Sequence, residues 1–284
     1  MSDWQSCLAK LRDDPAFWSI PSGPLQICLS GGRSSAYMLA QLAAANDLTD
    51  PRVQIIFTNT GREMPETLEF VRDLGAHFGV PIVWLEYRPG AEQWEQVDFA
   101  TASREGEPFA DLVRKKKYLP NAVARFCTAD LKVRPAKRYL VSLGWSRWTN
   151  ALGIRADEAH RAKPAKKERW ENWYPMAVAG TRKADVARFW ADMPFDLRLQ
   201  AYQGKTPYGN CDGCFLKSEA TLAGLARDFP DRAQWWQDLE TEMGATFHKD
   251  KSRADLNNFV QQQGDWLFDD EALFCQADGG ECHG

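Results

Sequence analysis

The stretch Ile27–Met38 reads ICLSGGRSSAYM and joins three kinds of local sequence. It opens with apolar residues typical of a buried strand, passes through a Ser-Gly-Gly turn, and continues into a stretch predicted to be helical. Adjacent glycines let a backbone approach a ligand closely, and the first amides of a helix have no intrahelical partner and attract anions. The pattern therefore predicts a phosphate-binding turn, although a Ser-Gly-Gly turn without a ligand would have the same local sequence.

The segments around this turn alternate between strand and helix patterns. Strands are predicted at residues 25–30, 53–58, 81–86 and 147–152, and helices at 33–45, 65–78 and around 135–143. Alternation at this spacing indicates a parallel sheet with right-handed crossovers, whose ligands gather at the carboxyl ends of the strands. Residues 30–32, 58–61 and 153–155 follow such ends. We therefore expect an α/β protein, a Rossmann-like parallel sheet flanked by helices, with one crevice.

The second half of the chain is less regular. Residues 156–180 are predicted to form an irregular loop, and helices are predicted at 181–193, 218–229 and 231–243 and after Ser252, where Ser-Arg-Ala-Asp resembles a capping box. We expect a nucleotide-binding α/β domain over residues 1–180. Residues 181–284 would form a cysteine-containing loop and a helical C-terminal appendage packed on that domain.

Composition limits the class of protein. The chain has 284 residues, of which 44% are hydrophobic, and no apolar run long enough to span a membrane. The N-terminal stretch lacks the apolar core of a secretory signal, so we expect a cytoplasmic protein with no membrane partner. Seven cysteines, an odd number, in a reducing compartment favour metal or redox chemistry over a disulfide framework.

Positive charge is concentrated in one segment of an otherwise acidic chain. Residues 114–169 contain sixteen Lys and Arg against four Asp and Glu, whereas the whole chain has a net charge of −4. Clustered cations favour a polyanion, for which a nucleotide would suffice. Nucleic acid stays open, although a pI near 5.7 argues against a general DNA-coating protein. Paired tryptophans in and beside this segment would stack bases or, more commonly, pack in the core.

Four segments in order carry a resemblance to a known family. The turn Ser30-Gly31-Gly32-Arg33-Ser34-Ser35 resembles the PP-loop of the adenine nucleotide alpha-hydrolase superfamily. FTNTGREMPETLEFV (57–71), RFCTADLKVRPAKRYL (125–140) and GIRADEAHR (153–161) are similar to signatures of the phosphoadenosine phosphosulfate (PAPS) reductase family. The match covers about residues 25–215. It implies a PP-loop fold, binding of ATP or PAPS, and chemistry that moves sulfur or activates a substrate by adenylylation.

The resemblance also implies a set of nucleotide-binding residues. The phosphates would be held by Ser30, Gly31, Gly32, Arg33, Ser34 and Ser35. The adenosine would be bordered by Phe57, Thr58, Thr60 and Gly61, and charge would be neutralised by Arg155 and Arg161. PP-loop pyrophosphatases usually carry Asp where Ser34 stands. This departure favours the PAPS reductases over the pyrophosphatases within the superfamily. It leaves open whether Mg²⁺ is a cofactor.

The cysteines suggest a metal centre. Cys211-Asp212-Gly213-Cys214 is a turn that brings two thiolates toward one metal, and Cys127 lies in the third matched segment. Three thiolates can hold a [4Fe–4S] cluster and a fourth completes it, for which Cys275 is the candidate. Zinc also accepts four thiolates, so the alternative is a structural zinc knuckle with Cys127 as a small buried residue.

The last five residues, GECHG, are similar to the Glu-Cys tail of PAPS reductases. The resemblance implies that Cys282 is the catalytic nucleophile. The alternative is a tail without function.

These features favour one function and leave two others open. The leading hypothesis is a PAPS-reductase-family enzyme that performs ATP-dependent sulfur transfer with an iron–sulfur cluster. The alternatives are a phosphoadenylyl or adenylyl sulfate reductase and a non-catalytic nucleotide-binding module with structural zinc. A nucleic acid or a small molecule would accept the sulfur, and a protein would donate sulfur or electrons. The sequence leaves a homodimer open.

Overall fold

A computed structural model of the chain describes residues 15–165, 167–200 and 206–263. Within these ranges six strands form one sheet. They are β1 (Leu25–Leu29), β2 (Val53–Asn59), β3 (Ile82–Glu86), β4 (Glu95–Val97), β5 (Trp148–Ala151) and β6 (Trp170–Trp173). Their order across the sheet is β4-β3-β2-β1-β5-β6, with β4 antiparallel to β3 and the other pairs parallel.

The order of the strands reverses at β1. The chain builds outward from β1 to β2 and β3 on one side, and β5 and β6 occupy the other side. Such a reversal opens a crevice at the carboxyl ends of the two central strands, which is where ligands of open α/β sheets bind. The turn after β1 lies at this point, so the predicted α/β architecture is confirmed.

Helices flank the sheet and continue after it. In the described residues the α-helices are α1 (Arg33–Ala45), α2 (Pro65–Phe78), α3 (Glu107–Lys116), α4 (Arg134–Ser142), α5 (Pro175–Val178), α6 (Lys183–Asp192), α7 (Glu219–Asp228), α8 (Pro230–Met243) and α9 (Arg253–Gln263). Short 3₁₀-helices lie at Pro15–Trp18 and Ala156–Arg161, and a π-helix at Thr128–Val133 runs directly into α4. Where the structure describes the chain, no helix combines the length and apolar character that crossing a bilayer requires.

The prediction of an irregular loop at residues 156–180 was wrong in part. Trp170–Trp173 forms β6, which pairs in parallel with β5 along the whole of its length. Four residues are too few to show the alternation of apolar and polar side chains that is typical of a strand. Their extended conformation is stabilised by pairing with β5. The Trp148 and Trp170 rings stack at 5.4 Å between centroids and contribute to an apolar cluster on one face of the sheet. These rings are buried, so they pack in the core and do not present a face to bases.

One continuous apolar core joins the sheet to the C-terminal helices. It extends from Trp18 through β1, α1 and α2 to Trp236 and Phe247 in and after α8. Helix α1 is apolar on nearly all of its sides, because it lies between the sheet and α6, and its residues from Ser35 to Leu42 are buried. The turn at the end of β1 is therefore followed by a helix in which eight consecutive residues, Ser35 to Leu42, are buried.

Gly31 is needed for the turn at the end of β1. Its φ of +78° lies in the left-handed region, and a Cβ atom added there would be 2.6 Å from Cγ2 of Thr67. A side chain at this position is therefore opposed both by the backbone conformation and by the packing of α2 against the turn.

Gly31→Ala should destabilise the protein more than Gly79→Ala. Gly79 ends α2 with a φ of +65° and has open space around its Cβ position, so its substitution adds only the cost of a left-handed alanine, about 1–2 kcal/mol. Gly31→Ala adds the clash with Thr67, for a further loss of about 1–3 kcal/mol. Urea unfolding of both variants measures the difference, and equal losses would show that the turn moves freely away from α2.

Candidate functional site

The turn after β1 is held in shape by its own serines. The backbone N–H of Ser30 donates to Oγ of Ser35 at 3.1 Å, and that hydroxyl donates to the carbonyl of Gly32 at 3.0 Å. Gly32 caps α1 without a side-chain hydrogen bond. The first-turn amides of α1 are therefore not capped by a side chain at this position, which suits them to bind an anion.

Two arginines converge beside this turn. Nη1 of Arg155 donates to Oγ of Ser34 at 2.8 Å. The carboxylate of Glu158 contacts Nη2 of Arg155 at 3.1 Å and Nη1 of Arg161 at 2.9 Å. Arg155 also pairs with Asp157 at 3.1 Å. The structure thus brings together three of the residues that the sequence predicted for phosphate binding, namely Ser34, Arg155 and Arg161.

Arg33 has a different set of contacts. Its guanidinium forms a two-pronged ion pair with Asp196, at 2.7 and 2.6 Å, and donates to the carbonyl of Leu197 at 2.8 Å. Nε1 of Trp190 donates to the carbonyl of Arg33 at 3.0 Å. In this conformation the charge of Arg33 is compensated by the segment after α6, and its side chain ties that segment to the start of α1.

The residues predicted to border the adenosine differ in exposure. Phe57 is buried and packs edge-on against Trp84 with ring centroids 4.9 Å apart, and Thr60 and Gly61 are also buried. Thr58 alone among the four is partly exposed. Thr58 therefore has the most accessible side chain of this set. The ring of Phe57 packs against the turn, 3.3 Å from the place that a Cβ atom of residue 31 would occupy.

Three cysteines line one cavity. Cys127, Cys211 and Cys214 are joined in its wall by Thr60, Phe109, Thr128, Leu131, Lys132, Asn210, Phe215 and Trp236. Cys127 immediately precedes the π-helix, an element that occurs often at functional sites. Thr60 connects the cavity to the sheet, because it follows β2 and its Oγ1 lies 3.2 Å from Sγ of Cys211.

The donor set of this cavity consists of thiols, which are ligands both of zinc and of iron–sulfur clusters. Within residues 15–165, 167–200 and 206–263, no three His, Cys, Asp or Glu side chains are placed to hold one metal ion. Zinc draws its sulfur ligands to about 2.3 Å and therefore close to one another. A [4Fe–4S] cluster distributes its thiolates over separate irons, which spaces them more widely. Cys275 and Cys282 lie outside the described residues.

Burial controls the protonation of Cys211. Desolvation raises the pKa of its thiol well above the usual value, the carboxylate of Glu63 raises it further, and the ammonium group of Lys132 opposes the shift. The thiol is therefore protonated at neutral pH unless a metal supplies the positive charge that stabilises the thiolate. Cys28, half-buried in β1, has a pKa raised to about 12 by desolvation, so its thiol is protonated at neutral pH.

A buried carboxylate holds the turn between Cys211 and Cys214. Asp212 accepts hydrogen bonds from Nη2 of Arg62 at 2.9 Å, from Nε1 of Trp236 at 2.7 Å and from the N–H of Gly213 at 2.7 Å. It also pairs with Nε of Arg232. The turn is thus fixed to the segment after β2 and to α8 at once. Gly213 fits against Trp236 so closely that an added Cβ would lie 2.2 Å from Nε1.

The sequence analysis did not identify the residues that hold the Cys211–Cys214 turn. We call this group, Asp212 with Arg62, Arg232 and Trp236, the clamp. Arg62 lies within the second matched segment and Asp212 within the C-x-x-C turn, so their positions were a usable signal. Arg232 and Trp236 carried no signal, because their role follows from the packing of α8 over the turn.

Ion pairs compensate part of the positive charge of residues 114–169. Lys116 pairs with Asp130 at 2.9 Å, Lys137 with Glu168 at 2.9 Å, and Arg114 with Glu242 at 2.6 Å. Asp130 also pairs with Arg134 at the start of α4. These ion pairs show that several of the cations in residues 114–169 have structural partners and are not all available to a polyanion.

The fold and the turn after β1 define a PP-loop α/β protein, and comparison with known proteins gives the family. The model of the phosphoadenosine phosphosulfate reductase domain matches residues 24–179. The chain belongs to this family.

Two relatives extend the comparison. The uncharacterized nin region protein ORF290 of Escherichia phage lambda is 32% identical over 211 residues, which cover 71% of this chain and 69% of that protein. An uncharacterized protein of Methanocaldococcus jannaschii, MJ0066, is 23% identical over 229 residues, 77% of this chain and 42% of the relative.

Solved structures similar to the chain include two proteins. One is the PAPS reductase from Candida auris in a phosphate complex, with 17% identity, 68% of this chain and 87% of that chain covered, and a TM-score of 0.43. The other is the U34-tRNA thiolase NcsA from Methanococcus maripaludis with its [4Fe-4S] cluster, with 13% identity, coverages of 91% and 87%, and a TM-score of 0.40. At these scores neither likeness carries a functional conclusion for this chain.

Asp212→Asn should destabilise the protein strongly, because it leaves the buried guanidinium of Arg62 without its counter-ion. Breaking a buried ion pair from one side costs about 3–5 kcal/mol. Glu242→Gln is the control, since its pair with Arg114 is exposed and contributes at most about 1 kcal/mol. Unfolding in urea measures both, and a loss for Asp212→Asn no larger than the control would contradict the clamp.

Proposed function

We propose that the protein binds an adenine nucleotide at the turn after β1 and performs ATP-dependent sulfur transfer with a [4Fe–4S] cluster bound by Cys127, Cys211 and Cys214. One observation carries the proposal. The three thiols share a cavity whose wall includes Thr60, and Thr60 follows β2, the strand next to β1. A phosphate site and a thiol site on neighbouring strand ends suit a reaction that activates a substrate and then delivers sulfur to it.

The residues around the turn would hold the nucleotide's phosphates. The first-turn amides of α1 and the hydroxyl of Ser34 face the same region as the guanidinium of Arg155, which already donates to that hydroxyl. Arg155 and Arg161 can exchange part of their pairing with Glu158 for phosphate oxygens, because guanidinium groups bind phosphate through two parallel hydrogen bonds. Thr58 would contact the nucleoside from the end of β2.

The proposed reaction begins with activation of the acceptor by ATP and continues with sulfur transfer. An oxygen of the acceptor attacks the α-phosphorus of ATP, the bond to the β-phosphate breaks, and pyrophosphate leaves. A sulfide supplied by a donor then attacks the activated carbon, and AMP departs with the original oxygen. Arg155 and Arg161 would stabilise the negative charge that develops on the departing pyrophosphate, since fixed cations in a protein site need no reorganisation as the charge forms.

The cavity residues would keep the thiolates in place. When bound by three thiolates, a cluster supplies one iron with an open position for a sulfur species. Asp212 and its partners fix the Cys211–Cys214 turn, and Lys132, whose Nζ lies 3.4 Å from Oδ1 of Asn210, places a positive charge in the cavity wall. That charge favours a centre whose net charge is negative. A nucleic acid or small molecule as acceptor, a donor protein, a cytoplasmic location and a homodimer belong to the same proposal.

Reduction of a phosphoadenylyl sulfate is the second candidate, and membership of the PAPS reductase domain family favours it. In that reaction a cysteine thiolate attacks the sulfur, a thiosulfonate forms on the cysteine, and the adenosine bisphosphate leaves. The predicted nucleophile, Cys282, lies outside the described residues and stays a prediction. A non-catalytic module with structural zinc at Cys211 and Cys214 is the third candidate, and the metal content of the purified protein distinguishes it from the other two.

Calorimetry with ATP, adenylyl sulfate and PAPS should distinguish the first two candidates. We expect the tightest binding for ATP, and a preference for PAPS would favour the reductase. Arg155→Met should weaken binding by about 10- to 100-fold, because it removes charge-assisted hydrogen bonds. Arg147→Met is the control, since Arg147 is exposed and its contact with Glu171 is 3.8 Å. Absence of binding by all three nucleotides would overturn the proposal.

Anaerobic purification should give a brown protein with about four irons per chain and absorbance near ~400 nm from thiolate-to-iron charge transfer. Cys127→Ser, Cys211→Ser and Cys214→Ser should each lose most of this absorbance, whereas Cys28→Ser, which changes a half-buried residue of β1 outside the cavity wall, should retain it. A colourless protein with stoichiometric zinc would support the structural module and contradict the cluster.

A further inference from the structure

Arg253 reaches the cysteine turn from the C-terminal helices. It is the first residue of α9 and only 4% exposed. Its Nη2 donates to the carbonyl of Gly213 at 2.8 Å, and Gly213 directly precedes Cys214. Its guanidinium also lies over the Phe247 ring, 5.7 Å from the centroid. The side chain therefore ends against the turn that carries two of the three cavity thiols.

The backbone around Arg253 is anchored by a second buried carboxylate. Glu240, in α8, accepts from the N–H of Arg253 at 2.6 Å and from the N–H of Phe247 at 2.8 Å. One carboxylate thus joins α8, the segment after it and the start of α9. The backbone position of Arg253 is therefore fixed independently of the contact between its side chain and the cysteine turn.

The charge of Arg253 faces both acidic and thiol groups. Its electrostatic partners are Glu240, Cys214 and Asp212, and burial lowers the pKa of its guanidinium to about 10, so it stays protonated at neutral pH. Asp212 is already shared by Arg62 and Arg232.

One N–H group of the Arg253 guanidinium has no hydrogen-bond acceptor among the described residues. Within the described residues, Nε of Arg253 is buried and has no hydrogen-bond partner. A buried donor without a partner costs about 1–3 kcal/mol, and burying a charge costs still more unless it is compensated. Packing alone would favour an apolar side chain here. An arginine in this place is better explained by an anionic neighbour.

We propose that Arg253 is a positioning residue for the cysteine turn: its hydrogen bond to the carbonyl of Gly213 fixes the turn, and its positive charge lies beside a metal centre bound by Cys211 and Cys214. The C-terminal helical region then forms part of the thiolate site and is more than a packing appendage. This inference rests on the proposed function, because it requires that the cysteines bind a metal centre.

The test compares Arg253→Met, which keeps the length and removes the charge, with Arg253→Lys, which keeps the charge. Arg114→Met is the control, because Arg114 contacts α8 through Glu242 and lies outside the site. Each full-length variant is loaded anaerobically with iron and sulfide. The measurements are resistance of the iron to a chelator, the reduction potential of the bound centre, and the thermal midpoint.

Arg253→Met should bind iron about 10- to 100-fold more weakly, as expected when a group that orients a metal ligand is lost. Its reduction potential should become more negative, because a nearby positive charge no longer stabilises the added electron, and Arg253→Lys should restore most of that shift. The control should match the unsubstituted protein.

Two failures can be told apart. If Arg253→Met lowers only the thermal midpoint and leaves the reduction potential unchanged, Arg253 is a packing residue and the inference fails while the cluster stands. If the unsubstituted protein retains no iron after loading, the proposed function itself fails and the inference with it.

Discussion

The carboxylate of Asp212 is the interaction on which the arrangement of the site depends. It is fully buried and lies where three separate segments meet, namely the segment after β2, the cysteine turn and α8. A carboxylate can be buried only when its charge is compensated and its oxygens are hydrogen-bonded, and here two guanidinium groups, an indole and an amide do both. Because these partners come from three segments that are distant in sequence, the thiol cavity exists only in the folded protein.

The pairing of β1 with β2 explains why the candidate phosphate turn and the segment of Thr60 are neighbours. The phosphate turn follows β1, and Thr60 follows β2, so hydrogen bonding between the strands sets the spacing of these segments. Arg155 follows β5 on the opposite side and reaches back to Ser34. The sheet thus places the turn after β1, Arg155 and Thr60 close together, and Thr60 in turn contacts the cysteine turn through Cys211.

Much of the fold could be read from the sequence, and less of the site. The apolar pattern predicts β1, β2, β3, β5 and the helices α1, α2 and α4, but neither β4 nor α3. Cys127 lies in a matched segment, and the C-x-x-C turn is indicated by its spacing. The strand at Trp170–Trp173 could not be seen, because its order comes from pairing with β5. Arg33 was expected to face phosphate, yet its partner Asp196 is distant in sequence and no local pattern indicates the pair. Arg253 shows the same limit, since burial against Gly213 depends on tertiary packing.

The π-helix at Thr128–Val133 has a consequence for how this protein tolerates insertions and deletions. A π-turn contains one residue more than an α-turn, so the direction of Cys127 about the helix axis is offset from the packed face of α4 by that extra residue. Removing a single residue from this segment would allow continuous α-helix and rotate Cys127 by about 100° away from the other two sulfurs. The length of six residues is thus itself a determinant of the site, independent of which side chains fill it.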